Sequence, residues 1–212
     1  MKNSLDISAH LLPGLPVEQI RACYAAAAGN EIESGKFASK ESSAALAANT
    51  FGLYLLRPRL LPALPRTEEF GWPASSVSLE GVVRFPWAGG KHPCLDALIE
   101  TETALIGVES KRYEPFRAKP AASLSDAYDR DVWGNRMSGY VGIRDALSDG
   151  RTIPFADRER HRTEIERFAD LVRGDEVEFR SATYSELLAS WESADGDALR
   201  THAQALRLRF DV

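Results

Sequence analysis

The stretch HPCLDALIETETALIGVESKRY, His92 to Tyr113, decides the fold interpretation, because it reads as two strand-like apolar runs separated by a short turn. Asp96 stands near the start of the first run, and Glu109 and Lys111 stand at the end of the second. A solvated hairpin would distribute its charges along one face of both strands. The grouping of these charges at one end therefore indicates a site rather than a solvated surface.

The register of this hairpin follows from its turn. If residues 102 and 103 form a two-residue turn, Asp96 lies directly opposite Glu109, and Lys111 points to the same face. Both faces are largely apolar, so we expect both to be covered, as in the central hairpin of a sheet flanked by helices. Strict alternation gives the second face Leu95, Ala97, Ile99, Ile106, Val108 and Ser110.

Two opposed carboxylates predict a bound cation. With Cβ atoms about 5 Å apart, Asp96 and Glu109 would repel each other and resist ionisation unless a positive charge lies between them. A divalent metal with oxygen ligands resolves this conflict, and Mg²⁺ keeps waters that can become nucleophiles. Lys111 could hold or polarise such a water.

The stretch resembles the PD-(D/E)xK nuclease superfamily, whose fold is the restriction-endonuclease-like fold. Asp96 matches the motif aspartate, Glu109-Ser110-Lys111 matches the ExK element, and Pro93 stands three residues before Asp96. Further stretches are similar to a bacterial branch of restriction endonuclease-like proteins: GNEIESGKF, SSAALAANTFG, FPW, ESKRYEPF and AYDRDVWGNRMSGY. The resemblance covers most of the chain and is clearest from Gly29 to Tyr140.

The resemblance implies a Mg²⁺- or Mn²⁺-dependent DNA nuclease of α/β class, with a central mixed sheet flanked by helices. Asp96, Glu109 and the backbone carbonyl of Ser110 would hold the metal, and Lys111 would orient the attacking water. Phosphates would be seated by nearby cations, namely Lys91, Arg112, Arg117 and Lys119. Glu114 is a candidate for a second metal or for pairing with Arg112.

Other acidic side chains are candidates for the same site. Many family members carry an acidic residue on the first core helix, and among Glu31, Glu33 and Glu41 the best candidate is Glu31, with a solvated carboxylate as the alternative. Glu80 is less attractive, because antiparallel pairing of its strand with the next is expected to place it near Glu100, far from Asp96.

Hydrophobic periodicity predicts the remaining elements. Helices are expected at Val17–Ala28, Ser42–Tyr54, Asp157–Arg173, after the capping-box pair Thr183 and Glu186, and at Asp197–Leu208, with strands at 77–85, 94–100, 104–111 and Val177–Arg180. Residues 116–150 read as a long loop with a short helix. The family core needs a helix and a fourth strand after the third, so either the later elements fill these roles or this chain has lost part of the core.

Composition bounds the class of protein. The 212 residues are 44% hydrophobic and 27% charged, which suits one soluble domain, with a core at about 29–145 and a helical part at about 155–212. Cys23 and Cys94 are too few for a disulfide framework and are expected to be reduced and buried. The chain shows no signal-peptide pattern and no long apolar span, so we expect a cytoplasmic protein without a membrane.

The formal charge of −5 argues against a nonspecific nucleic-acid coat, although a local basic groove is compatible with it. His161 with Glu164, and the arginines 158, 160, 162 and 167, are more typical of a solvated helix surface than of a metal or phosphate site. Two alternatives to a nuclease stay open. One is a degenerate relative that binds nucleic acid or protein without cleavage, and the other is a structural module whose charged cluster is only a set of surface salt bridges.

Overall fold

The computed structural model of the chain describes residues 6–27, 29–87, 92–113, 123–148 and 158–212. Within these ranges the chain forms six α-helices and three β-strands, so the predicted α/β class is confirmed. The helices are α1 Val17–Ala26, α2 Ser43–Phe51, α3 Ser138–Ser148, α4 Arg158–Leu171, α5 Tyr184–Ser193 and α6 Asp197–Phe210. The strands are β1 Ser76–Val82, β2 Cys94–Glu100 and β3 Leu105–Val108.

The chain divides into two compact units. One unit contains Met1–Arg112 and Ala182–Val212, and the other contains Tyr113–Ser181. The first unit carries the sheet together with α1, α2, α5 and α6, whereas the second carries α3 and α4. The last two helices therefore belong with the sheet rather than with the helical segment that precedes them in sequence.

The sheet has the strand order β1-β2-β3, and both pairings are antiparallel. The predicted mixed sheet is therefore wrong for the part of the chain that the structure describes. The physical reason is local. The connections between the strands, residues 83–93 and 101–104, are shorter than the crossover that a parallel pair needs.

One face of the sheet is covered. Ala97 and Ile99 are fully buried on this face, and α2 packs over β1 and β2. On the opposite side Leu105 is 55% exposed, and Glu100 and Gly107 are also exposed. The expectation that both faces are covered is therefore wrong in the described residues, and the sheet has the one-sided burial typical of antiparallel sheets.

Helix α2 is the centre of the first unit. Ser42 caps it by accepting a hydrogen bond from the Ala45 amide at 3.0 Å, and every residue from Ala44 to Phe51 is buried. Its alanines present little side-chain volume, so neighbouring backbone can approach closely. The side chain of Asn49 accepts from the Leu12 amide at 2.7 Å and donates to the His10 carbonyl at 3.0 Å. These bonds attach the N-terminal segment to the core.

Helices α5 and α6 complete this core. The capping box predicted at Thr183 and Glu186 is confirmed, because the Glu186 amide donates to Thr183 Oγ1 at 3.1 Å and the Thr183 amide donates to Glu186 Oε2 at 2.7 Å. Leu188, Trp191 and Leu206 are fully buried where the two helices pack. The helical patterns of this region were therefore sufficient to locate both helices.

The second unit departs most from the sequence prediction. An 11-residue helix, α3, occupies a region that we predicted as loop with a short helix, and Val177–Arg180 is not a strand. The carboxylate of Asp175 accepts from the amides of Gly139 and Tyr140 at 3.3 and 3.1 Å, and so caps α3 from a distant part of the chain. Such a long-range cap leaves no local signal.

No helix in the described ranges is both long enough and apolar enough to cross a lipid bilayer.

Candidate functional site

The predicted register of the β2–β3 hairpin is confirmed. Glu100 pairs with Leu105, and the ladder runs to the pair Ala97–Val108. The turn is closed by a hydrogen bond from the Thr101 amide to the Ala104 carbonyl at 2.9 Å. Asp96 and Glu109 therefore stand one step beyond the last ladder pair, where the two strands begin to separate.

Asp96 lies in a desolvated position at this end of the hairpin. Its Oδ2 accepts a hydrogen bond from the Ser110 amide at 2.7 Å. Burial raises the pKa of the Asp96 carboxyl to about 6, and the negative charges of Glu109 and Glu80 act in the same direction. The Ser110 hydrogen bond and the Lys111 ammonium lower this pKa but do not restore its usual value. The carboxyl is therefore held in a site that disfavours its own ionisation.

Glu109 and Lys111 form an ion pair beside Asp96. The Lys111 Nζ atom lies 2.5 Å from Glu109 Oε1, and their side chains are 42% and 50% exposed. An exposed pair of this kind adds little to folding stability. Because both side chains are about half exposed, a ligand can reach them. Because the ion pair is weak, the Lys111 ammonium can move away from the Glu109 carboxylate at a small cost in free energy.

Glu80 is the residue that sequence reasoning misplaced. The pairings Leu79–Ala97 and Gly81–Leu95 bracket it, so Glu80 stands opposite Asp96, whereas Ser76 is the residue that pairs with Glu100. Burial raises the pKa of Glu80, and the charges of Glu31 and Glu109 raise it further. Glu80 is therefore an additional acidic member of the site. The β1–β2 connection is too long for its turn to set the register, so the sequence held no local signal for this placement.

The backbone is unusual where Glu80 faces Asp96. Glu80 has φ 52°, in the left-handed region that non-glycine residues rarely adopt. A Cβ atom at Gly107 would lie 2.1 Å from Leu95 Cδ1, so Leu95 lies over Gly107. The predicted alternation, which placed Leu95 on the same face as Ala97, is therefore wrong. Backbone strain of this kind is concentrated at functional sites in proteins.

Glu31 is close enough to the cluster for its charge to raise the pKa of Glu80. It lies in a turn before α2 rather than on a helix, and it pairs with Lys36 at 3.7 Å. The competing candidates Glu33 and Glu41 are exposed. The charge of Glu31 therefore connects it to the site.

Cys94 borders the same cluster. Its thiol donates to the Glu80 carbonyl at 3.3 Å and to Glu80 Oε2 at 3.5 Å. Desolvation, followed by the charge of Glu80, raises the pKa of the Cys94 thiol to about 11. Both cysteines are unpaired by disulfides, but Cys94 is exposed and Cys23 only half-buried, so the expectation that both are buried is wrong.

Of the four cations proposed to contact phosphate, the structure describes Arg112. Lys91, Arg117 and Lys119 lie outside the described residues, as does Glu114. The Arg112 guanidinium donates to the carbonyls of Lys40 and Phe210 and lies over the Phe210 ring at 5.5 Å. Arg112 is therefore engaged in holding elements of the first unit together.

The remaining basic and metal-ligating candidates lie on α4, in the second unit. Burial lowers the pKa of His161, and Arg162 and Glu164 lie on the same helix. The side chains of Arg158 and Arg160 lie outside the described residues. These residues belong to the second unit, whereas Asp96 belongs to the first.

The donor set suits a hard cation. Asp96, Glu80 and Glu109 offer carboxylate oxygens, which Mg²⁺ and Mn²⁺ prefer, and burial, with a smaller contribution from neighbouring carboxylates, raises the pKa values of Asp96 and Glu80. In the described part of the chain, however, no three Asp, Glu, His or Cys side chains are already grouped so as to hold a metal ion. The carboxylate oxygens therefore suit a divalent cation, but their side chains would have to move closer together to bind one.

Comparison with known proteins found no matching family model, no matching curated protein and no matching solved structure. The functional interpretation therefore depends on the residues of the site.

Proposed function

We propose that the chain is a metal-dependent nuclease that hydrolyses phosphodiester bonds in DNA, built on a restriction-endonuclease-like core. The observation that supports this proposal most directly is the grouping of Asp96, Glu109 and Lys111 at one end of a hairpin, two carboxylates beside an accessible ammonium. Glu80 adds a further carboxylate to the same end of the sheet.

Each residue has a distinct role in this proposal. Asp96 and Glu109, together with the carbonyl of Ser110, would hold Mg²⁺ or Mn²⁺, and Glu80 would add negative potential. When bound, the cation supplies Lewis-acid activation of water and stabilises negative charge on the phosphate. Lys111 then leaves Glu109, orients the attacking water and stabilises the charge that develops on the phosphate oxygens.

The alternative is a degenerate relative that binds nucleic acid or a protein partner without cleavage. The Lys111–Glu109 ion pair favours it, because the ammonium already neutralises one of the carboxylates that a cation would need. Cation binding without hydrolysis supports this alternative. DNA affinity that does not change with salt concentration would favour a protein partner, because each phosphate contact releases counterions.

The test is a cleavage assay on linear, circular, single-stranded and branched DNA with Mn²⁺, Mg²⁺ or EDTA. Wild type should cleave at least one substrate only with a divalent cation, and Asp96→Asn should be inactive. Lys111→Ala should retain DNA binding but lose a factor of about 10² or more in cleavage rate, the scale of removing one electrostatic stabiliser.

The matched control is Arg180→Ala. Its guanidinium lies 2.6 Å from Glu178, two residues earlier, so the substitution removes the cation of a similarly spaced ion pair in the second unit. The control should cleave at the wild-type rate. Full cleavage by Lys111→Ala would exclude the proposed mechanism, and a complete lack of wild-type cleavage on all four substrates would exclude the nuclease.

A further inference from the structure

The segment Glu109–Arg112 is held from one side and exposed on the other. Ser110 is 2% exposed, whereas the side chains of Glu109 and Lys111 are about half exposed. In an extended chain, neighbouring side chains point to opposite sides. The residues that alternate with the two charged groups are therefore available to fix the backbone that carries them.

Ser110 connects this segment to α5. Its hydroxyl lies 2.7 Å from the Tyr184 hydroxyl and donates to the Ser43 carbonyl at 3.4 Å. Burial raises the pKa of the Tyr184 hydroxyl, and its hydrogen bond with Ser110 lowers that pKa in part. Tyr184 is the first residue of α5, directly after the capping-box residue Thr183, so its backbone position is well defined.

Arg112 connects the same segment to α6. It donates to the carbonyl of Phe210, the last residue of that helix, and to the carbonyl of Lys40. Two alternate residues, Ser110 and Arg112, are thus attached to the two C-terminal helices. The segment is therefore positioned by a part of the chain that is remote from it in sequence.

The connection reaches Asp96 through a single residue. Ser110 receives the Tyr184 contact on its side chain and donates its amide to Asp96 Oδ2 at 2.7 Å. Displacement of Ser110 would move the amide away from Asp96 and would also shift Glu109 and Lys111 on either side. Tyr184 thus acts on all three proposed site residues through one hydrogen bond.

We propose that Tyr184 is a positioning residue of the cation site, acting through Ser110, so that helix α5 completes the site. This inference rests on the proposed function, because it needs Asp96 and Glu109 to bind a divalent cation. Groups that orient metal ligands in this way typically contribute 10- to 100-fold to metal affinity.

The experiment measures Mn²⁺ affinity of the full chain without DNA, by the electron paramagnetic resonance signal of unbound Mn²⁺. Tyr184→Phe removes only the hydroxyl and should weaken Mn²⁺ binding roughly 10-fold. Tyr54→Phe is the matched control, because Tyr54 is also buried and its hydroxyl has no hydrogen-bond partner among the described residues. It should bind Mn²⁺ as wild type does.

Ser110→Ala provides a second route to the same contact and decides the question if Tyr184→Phe does not fold. It should weaken Mn²⁺ binding at least as much as Tyr184→Phe, because it also removes the bond to the Ser43 carbonyl, and the double variant should bind no more weakly than Ser110→Ala. Wild-type affinity in both single variants would overturn the positioning role and leave the proposed function intact. A lack of Mn²⁺ binding by wild type would overturn both proposals together.

Discussion

At the scale of the single residue, Asp96 determines the electrostatics of the site. It is opposed by Glu80 across the strand pair and is near Glu109, while one backbone amide supplies its direct hydrogen bond. Burial makes the largest contribution and, together with these charges, raises the pKa of Asp96 to about 6, above the value of 3.8 expected for an unperturbed aspartate. An ionised Asp96 is therefore a cost to the folded state that a cation would remove.

This cost predicts a pH-dependent effect of Asp96→Asn, whose amide oxygen can still accept from the Ser110 amide. A raised folded pKa contributes stability below the unfolded pKa, and this contribution is lost as pH rises through about 6. In EDTA at pH 7.5 the variant should be about 1 to 3 kcal/mol more stable than wild type, and the difference should disappear near pH 4.

Urea unfolding at a series of pH values measures this difference. Asp195→Asn, at an exposed aspartate, serves as the control and should follow wild type throughout. A constant difference between Asp96→Asn and wild type from pH 4 to 7.5 would contradict the prediction. With Mn²⁺ present the order should reverse, because wild type alone gains stability by binding.

At the scale of the element, the packing of α3 on α4 depends on one glycine. A Cβ atom at Gly139 would lie 2.3 Å from the Leu171 carbonyl oxygen and 2.9 Å from Val172 Cα. Both of these are backbone atoms, so a side chain cannot be accommodated by a rotamer change. One turn later, Gly142 has open space at the same position.

The two glycines give opposite predictions for the same substitution. Gly139→Ala should destabilise α3 by about 1 to 3 kcal/mol, because it forces the helices apart. Gly142→Ala should stabilise α3 by about 1 kcal/mol, because alanine has the higher helix propensity. Amide hydrogen exchange in α3 measures both effects as local opening free energies. Equal effects of the two substitutions would show that the close approach does not limit the packing.

At the scale of the whole molecule, distant segments of the first unit meet at helix α2. Asn49 bonds to the N-terminal segment through its side chain, and its carbonyl lies 2.9 Å from His202 Nε2 in α6. His202 is 9% exposed and stacks on Trp191 at 6.3 Å. One buried position thus joins segments separated by 153 residues.

Burial lowers the pKa of His202 below its usual 6.5, although the contact with Asn49 raises it in part. A depressed pKa contributes stability that is present above pH 6.5 and is lost as pH falls through that value toward the folded pKa. His202→Gln keeps a donor for the Asn49 carbonyl but cannot be protonated. Between pH 8 and pH 5, the unfolding free energy of His202→Gln should fall less than that of wild type. Equal losses in urea unfolding would contradict the prediction.

The sequence by itself determined the features that depend on neighbouring residues. The two-residue turn fixed the β2–β3 register, the Thr183–Glu186 pair fixed the start of α5, and apolar periodicity located α1, α2, α4 and α6. Together these bring Asp96, Glu109 and Lys111 to one end of the hairpin. Each of these signals acts over a few residues, which is why they could be recognised without the fold.

Only the tertiary structure decided the placement of Glu80, the existence of α3 and the anchoring of Ser110. Residues 83–93 separate β1 from β2, so packing rather than a turn set the register that brings Glu80 opposite Asp96. Helix α3 depends on a cap from Asp175, and Ser110 depends on Tyr184, which follows it by 74 residues. The physical reason is common to all three, because each contact forms only after distant segments have packed, and no local pattern encodes it.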